Sequence, residues 1–469
     1  MRANPFEQLR VWVGDFMTRS PSRFALTVFS TLILVFTALF SLPAATAAGQ
    51  RTHPVDAFFT AVSTICVTGL STVDMGTHWS PLGHAFILIG TQIGGIGVLT
   101  MASILGLVIT RRLGLRQKLV AASDSNPLRV HSGPISESQA VRLSDTRGLL
   151  VTVATSMLVI EGATAVLLLP RLLLSGMHAG EAVWQSVFLA AMAFTNTGFT
   201  VSADGIQAFA ADPYLLIVLM IATVLGAIGF PVIYSLRHTL LRPRRWSLHV
   251  KLTLSAFVLL WVGGWIVYIV LEWDNTASFG GDTDFGQRLL QAAFLSTMTR
   301  SGGFATFDTS QLEESSILVT SMLMFVGGGS ASTAGGIKVT TLAILFLAAV
   351  AEARGRAGIE AFGKFIPSDV LRLAVSVTLW GATLVAVTTT VLLWMTDDPV
   401  HYILFDVISA FATCGLSTGF TADAPESAQT IIAIVMFLGR IGTATFAAAL
   451  AARQHVRLFK QPEERPIVG

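Results

Sequence analysis

Four short stretches share one pattern: CVTGLST at 66–72, TNTGFTV at 195–201, RSGGFAT at 300–306 and TCGLSTG at 413–419. In each, a glycine precedes Leu or Phe and then a small residue, mostly a hydroxyl residue or alanine. What such loops offer chemically is backbone. Glycine permits positive φ without a Cβ penalty, so successive carbonyl oxygens can turn the same way. Carbonyls gathered around one axis can replace the water of a dehydrated alkali cation. The candidate filter positions are Val67, Thr68 and Gly69, then Asn196, Thr197 and Gly198, then Ser301, Gly302 and Gly303, and finally Thr413, Cys414 and Gly415. Gly303 is taken as the third unit's counterpart because it precedes Phe304. A single Gly-Leu or Gly-Phe after an apolar helix reads as a C-cap. Four copies at matching places ask for another explanation.

The elements that must position these loops belong to a membrane protein. Hydrophobic residues make up 53% of the chain and charged residues 12%, where soluble domains carry about 25% charge. Long apolar segments lie at 22–42, 81–109, 147–170, 213–240, 248–272, 315–350, 367–395 and 427–452. The first, near AATAA, resembles a signal peptide, but it is long enough for a whole bilayer and reads as the first span. Between alternate pairs lie VDAFFTAVSTICV, AVWQSVFLAAMAF, RLLQAAFLSTMT and YILFDVISAFAT. Each is shorter than the roughly twenty residues a span needs, and is expected to dip into the membrane and return.

Charge placement supports that reading. Lys and Arg cluster before the first pair, between pairs and after the last, as in Arg111, Arg112, Arg116 and Lys118 or Arg242, Arg244 and Arg245. Within pairs stand only Arg51, Arg171, Arg288 and Arg300, among many aspartates. The positive-inside rule then makes both termini cytoplasmic and each short segment a re-entrant loop entered from outside. The expected fold class is an all-α integral membrane protein of eight transmembrane helices, in four tandem span–re-entrant pore loop–span repeats with pseudo-fourfold symmetry. The repeats run 22–110, 147–240, 248–350 and 367–452, flanked by a cytoplasmic segment 1–21 and a cytoplasmic tail 453–469.

The sixth apolar segment contains FVGGGSASTAGGIK at 325–338, a break at membrane depth. Non-helical backbone survives there only when buried in protein or lining a wet cavity. Arg440, inside the last span, is costly unless paired, and is expected to face the pore and repel a cation or bond loop carbonyls. Lys338 has two readings, the same role or a reach toward the cytoplasm. Cys66 and Cys414 read as packing residues. Asp56 and Asp406 read as favourable charges near short-helix N-termini, with no ion-binding role assigned.

The filter stretches, together with QIGGIGVLT at 92–100, LGAIGFPVI at 225–233, GGGSASTAGGIK at 327–338 and GRIGTATF at 439–446, resemble the potassium transporter superfamily containing TrkH, KtrB and the plant HKT proteins. The likeness runs from about residue 22 to 452, and KtrB is the nearer pattern because the chain starts directly at the first unit. The third filter reads Ser-Gly-Gly where Thr-Ala-Gly is usual, and Thr443 stands where Pro is expected. The resemblance implies K⁺ as the transported ion, Na⁺ as a candidate coupling or activating ion, and no cofactor bound by this chain. It also implies a gate at Gly327, Gly328, Gly329, Ser330, Ser332, Thr333, Gly335 and Gly336, with Lys338 and Arg440 beside it. The implied partners are a second copy of the chain and a cytoplasmic KtrA/TrkA-like RCK ring that binds nucleotides, in the cell membrane and without nucleic acid. The basic connections 111–147 and 237–251 offer such a ring a docking face, or serve only to fix topology.

Two other classes fit less well. An alternating-access secondary transporter with broken helices usually shows inverted repeats, and these units share one orientation. An intramembrane enzyme would need a catalytic constellation; the nine histidines are scattered, and no HExxH occurs.

Overall fold

The computed structural model describes residues 21–97, 146–240, 242–280, 284–356 and 358–442. These are mostly helical, in four successive groups of long helix, short helix, loop and second helix. The first group is Pro21–Phe40, Pro54–Cys66 and a helix over 81–97. The second is Thr146–Leu174, Ala179–Thr195, and Pro213–Ile228 with Phe230–Thr239. The third is Leu248–Leu271, Phe285–Met298, and Glu314–Phe325 with Val339–Ala353. The fourth is Ser368–Met395, Val400–Ala412 and Glu426–Phe437, which runs into a π turn at Leu438–Gly442.

Among the described residues, three helices are long and apolar enough to cross a membrane: Thr152–Leu174, Leu248–Leu271 and Ser368–Met395. The pair Pro213–Ile228 and Phe230–Arg237 adds a fourth if taken as one bent span. Burial divides long helices from short ones. The short helices place Phe59, Phe188, Phe294, Phe405 and Phe411 in the interior. The long ones leave Leu158, Val166, Leu259, Val270 and Leu379 more than 60% exposed, an apolar belt that water would not tolerate and lipid would.

Two segments depart from straight helices. The expected continuous span 213–240 bends by 103° at Gly229. Pro231 explains the bend, because it has no N–H to give and its ring crowds the carbonyl four residues back, on Ala227. That carbonyl instead accepts from Gly329 N at 2.7 Å. The segment 315–350 divides at Val326–Lys338, where Val326 and Ile337 form a parallel bridge. The two breaks satisfy each other: Phe230 N donates to Ala331 O at 3.0 Å and Thr333 N to Gly226 O at 3.3 Å.

The all-α expectation misses one element, a hairpin pairing Ile359–Ala361 with Lys364–Ile366. Its turn residues, Phe362 and Gly363, both have positive φ, as a tight two-residue hairpin turn requires.

The four groups close on one another in a ring. Short helix Phe285–Met298 packs on Pro213–Ile228, Val400–Ala412 on Glu314–Phe325, and Pro54–Cys66 on Glu426–Phe437. The remaining contact is made by helix 81–97 against Ala179–Thr195, where His84 meets Phe188 with ring centroids 6.0 Å apart. Each short helix thus leans on the second helix of the group before it, cyclically.

Candidate functional site

Three short helices end directly in a left-handed residue and the third unit reaches its own at Ser301, three residues past Met298; in all four a left-handed glycine follows two positions later. Val67, Asn196, Ser301 and Thr413 have φ of 57°, 61°, 66° and 45°. Gly69, Gly198, Gly303 and Gly415 follow at 95°, 81°, 74° and 96°. In three units the residue between them closes a Schellman-type bond: Thr68 N to Ser63 O (2.8 Å), Thr197 N to Met192 O (2.9 Å) and Cys414 N to Ser409 O (2.8 Å). The third unit closes one residue tighter, with Gly302 N on Met298 O at 2.7 Å. Serine hydroxyls then hold the glycine amides: Gly69 N donates to Ser63 Oγ and Gly415 N to Ser409 Oγ, both at 3.1 Å. With those N–H groups satisfied inside their own units, the carbonyls are left for the neighbours.

The four glycines meet. A methyl group built on Gly198 would lie 2.6 Å from Gly303 Cα, and one on Gly303 would lie 2.7 Å from both Cys414 O and Thr197 O. On Gly415 it would lie 2.5 Å from Thr68 O, and on Gly69 it would overlap the Thr197 carbonyl. Thr68, Thr197 and Cys414 thus bring carbonyl oxygens to the place where the loops converge. Gly302 lies elsewhere: a methyl there would meet Met298 and Thr223. Val67, Thr68, Asn196, Thr197, Ser301, Thr413 and Cys414 are all buried.

The segment 327–336 lies against these loops. Gly327 N donates to Ile337 O at 2.9 Å and Val339 N to Gly328 O at 3.1 Å, while Ser332 Oγ donates to Gly329 O at 2.6 Å, so the break is internally knit. Ser330 and Thr340 hydroxyls pair at 3.1 Å. Toward the second loop, Thr333 Oγ1 lies 3.1 Å from Phe194 O and 2.9 Å from Asn196 Oδ1. Toward the third, Gly335 N donates to Ser301 Oγ at 3.3 Å, and that hydroxyl donates on to Ala412 O at 3.2 Å in the fourth. Gly336 approaches Ala412 closely, with a built methyl 3.2 Å from its Cβ.

Arg440 is buried, and its Nη1 donates to Thr333 O and to Thr413 Oγ1, joining the broken segment to the fourth loop. Among the described residues its Nε and Nη2 are buried and have no hydrogen-bond partner. Lys338, half-buried, folds its Nζ back onto Ala334 O at 2.6 Å. Thr443, next to this site in sequence, lies outside the described residues, as does the connection 111–145.

The sequence reading missed what three groups do. Arg300 counts there as a charge in an outer connection, but it is fully buried. Its Nη1 caps Leu323 O at 3.1 Å and Val326 O at 2.8 Å, where helix Glu314–Phe325 runs out of partners. The Asn196 amide bonds Thr223 O and Arg300 O, both at 3.3 Å, so it is a side-chain link as well as a loop residue. Asp406 is the seventh residue of Val400–Ala412, not an N-terminal charge, and its carboxylate is wholly buried under loop hydroxyls and amides. Only the placement of a charge in an apolar context could have flagged Arg300 and Asp406 from sequence; nothing local marks the Asn196 amide as a link between units. Replacing Arg300 by Met is expected to destabilise the fold by about 3 kcal/mol, since one buried and one partly buried carbonyl lose a charged donor. Thermal unfolding of the detergent-solubilised protein measures it.

Comparison with known proteins agrees with this architecture. The TrkH family, described as cation transport proteins, matches residues 14–455. The Ktr system potassium uptake protein D of Bacillus subtilis is 33% identical over 454 residues, covering 96% of this chain and 97% of that one. The potassium/sodium uptake protein NtpJ of Enterococcus hirae is 31% identical over 459 residues, covering 96% and 97%. The Ktr system potassium uptake protein B of Vibrio alginolyticus is 33% identical over 457 residues, covering 95% and 94%. Among solved structures, the potassium transporter TrkH from Vibrio parahaemolyticus superposes with a TM-score of 0.66 at 17% identity, covering 90% of this chain and 84% of that one, and so shares the fold. With a family match over almost its whole length and relatives of equal extent, this multi-pass membrane chain belongs to the TrkH family of cation transport proteins.

Proposed function

We propose that the chain is the ion-translocating membrane subunit of a potassium uptake system, passing K⁺ through a filter formed by its four glycine loops. The observation that carries this is the convergence of Gly69, Gly198, Gly303 and Gly415, each at left-handed φ and each against a neighbour's backbone. Carbonyls so placed can take over an ion's hydration shell. The short helices add to it, because their partially negative C-termini end at the loops. Potassium as cargo is inferred from the relatives, which are named for potassium uptake, one of them for potassium and sodium.

In this reading the chain makes eight spans in four pseudo-fourfold repeats, with both termini cytoplasmic and the short helices re-entrant from outside. The segment 327–336 is the gate beneath the filter. Its hydrogen bonds to Asn196 and Ser301, and the Arg440 contacts to Thr333 and Thr413, support a closed arrangement in which cationic side chains hold the gate and oppose passage. The chain is not an enzyme in this reading. It works as a homodimer on a nucleotide-binding cytoplasmic ring, with Na⁺ as a coupling or activating ion. One glycine per loop at the point of convergence, in four unlike loops, gives imperfect rejection of Na⁺.

The test is reconstitution into liposomes with ion gradients. K⁺ influx above that of protein-free vesicles, and several-fold above Na⁺ influx, is expected. Influx equal to that of empty vesicles, with the cytoplasmic ring supplied, contradicts the assignment.

A further inference from the structure

The outer part of each loop, beyond its glycine, must also be held, or the carbonyls would not keep their spacing. In three units the hydroxyl residue three positions after the glycine donates to a side chain of the short helix that precedes the loop. Thr72 donates to Asp56 at 2.6 Å, Thr306 to Gln291, and Thr418 to Asp406 at 3.2 Å. The second unit has Val201 at that position, which can make no such bond.

The fourth unit carries the device furthest. Asp406 is 0% exposed and accepts from Ser417 Oγ (2.7 Å), Thr418 N (2.9 Å), Thr418 Oγ1 (3.2 Å), Thr421 N (2.9 Å) and Thr421 Oγ1 (2.5 Å). Amide N–H groups can only donate, and one reaches each carboxylate oxygen, so both oxygens are fixed by backbone donors. The tie extends across units, since the Thr309 hydroxyl donates to Ser417 O. A buried polar group is retained only where its hydrogen bonds offset desolvation, and here five of them fasten three residues of the loop stretch 417–421 to the short helix.

We propose that Asp406, with Asp56 and Gln291 in lesser degree, is a positioning residue that fixes the outer half of its loop and thereby sets how well the filter discriminates K⁺ from Na⁺. This rests on the filter reading above. A purely structural role would change how much protein reaches the membrane and leave the ion preference of the molecules that do. A role in concentrating cations would be shared by any nearby acid, such as the exposed Asp423.

The experiment measures relative K⁺ and Na⁺ influx per mole of reconstituted protein for Asp406→Asn, Thr421→Val, Asp56→Asn, Thr72→Val, Asp423→Asn and Gly69→Ser. Asp406→Asn is expected to lower the K⁺ to Na⁺ ratio about tenfold, the loss of one charge-assisted hydrogen bond in a buried site. Thr421→Val is expected to move the ratio in the same direction, and to add little on top of Asp406→Asn. Asp56→Asn and Thr72→Val, at a half-exposed single bond, are expected to lower it about twofold, and Asp423→Asn to leave it unchanged. If Asp406→Asn fails to accumulate, the Asp56 and Thr72 variants decide. Wild-type ratios in all the Asp406, Asp56 and Thr72 variants that fold, while Gly69→Ser alters the ratio, overturn the positioning role alone. An unaltered ratio in Gly69→Ser overturns the filter reading beneath it.

Discussion

Gly69→Ser and Gly198→Ser proteins are expected to lose about tenfold in preference for K⁺ over Na⁺, the factor that corresponds to about 1.4 kcal/mol. Both glycines sit at φ values that cost an L residue about 1–2 kcal/mol. Both also lack room: a methyl at 198 would lie 2.5 Å from Gly303 C, and one at 69 would strike the Thr197 carbonyl. A serine therefore forces the loops apart at the point where their carbonyls meet. Widening the ring should cost the fitted ion more than a competitor that keeps part of its water. Paired influx measurements in reconstituted vesicles read this out, and a ratio equal to wild type would remove Gly69 and Gly198 from the filter.

Removal of the Arg440 guanidinium is expected to raise K⁺ influx about tenfold or more. Arg440 Nη1 bonds both Thr333 O in the broken segment and Thr413 Oγ1 in the fourth loop, so it fastens the proposed gate from a second helix. A hydrogen bond to a charged group is worth about 1.5–3 kcal/mol net, and losing it from the closed state shifts the open fraction by that amount. In the proposed reading the same change also takes a positive charge from the ion's path. Arg440→Ala and Arg440→Lys separate the two contributions: the lysine keeps the charge but not the two-pronged geometry. Influx unchanged in both would deny Arg440 a part in closure.

How much of this could be read from the chain depended on whether the signal was local. The four loops were legible because glycine before Leu or Phe repeats in register, and the left-handed φ of Gly69, Gly198, Gly303 and Gly415 is a local property. The break at 327–336 was legible because glycine, serine and threonine interrupt an apolar run. Its partner break at Gly229 was not anticipated. Pro231 gave a hint, but its consequence depends on Ala227 O finding Gly329 N a hundred residues away in sequence. Arg300 was misplaced for the same reason. It follows a short helix next to outward loops, and only tertiary packing turns it inward onto Leu323 and Val326. Asp406 looked like a helix-start charge because the end of its helix was clear while its start, at Val400, was not. Its partners, Ser417 through Thr421, belong to a loop whose path no periodicity encodes.

The most direct measurement is an experimental density map of the protein in Rb⁺, with anomalous scattering locating the ion. A peak on the axis among the Thr68, Thr197, Gly303 and Cys414 backbone, absent when Li⁺ replaces Rb⁺, is the expected result. Rb⁺ bound elsewhere, with that junction empty at saturating salt, would contradict a filter made by these loops.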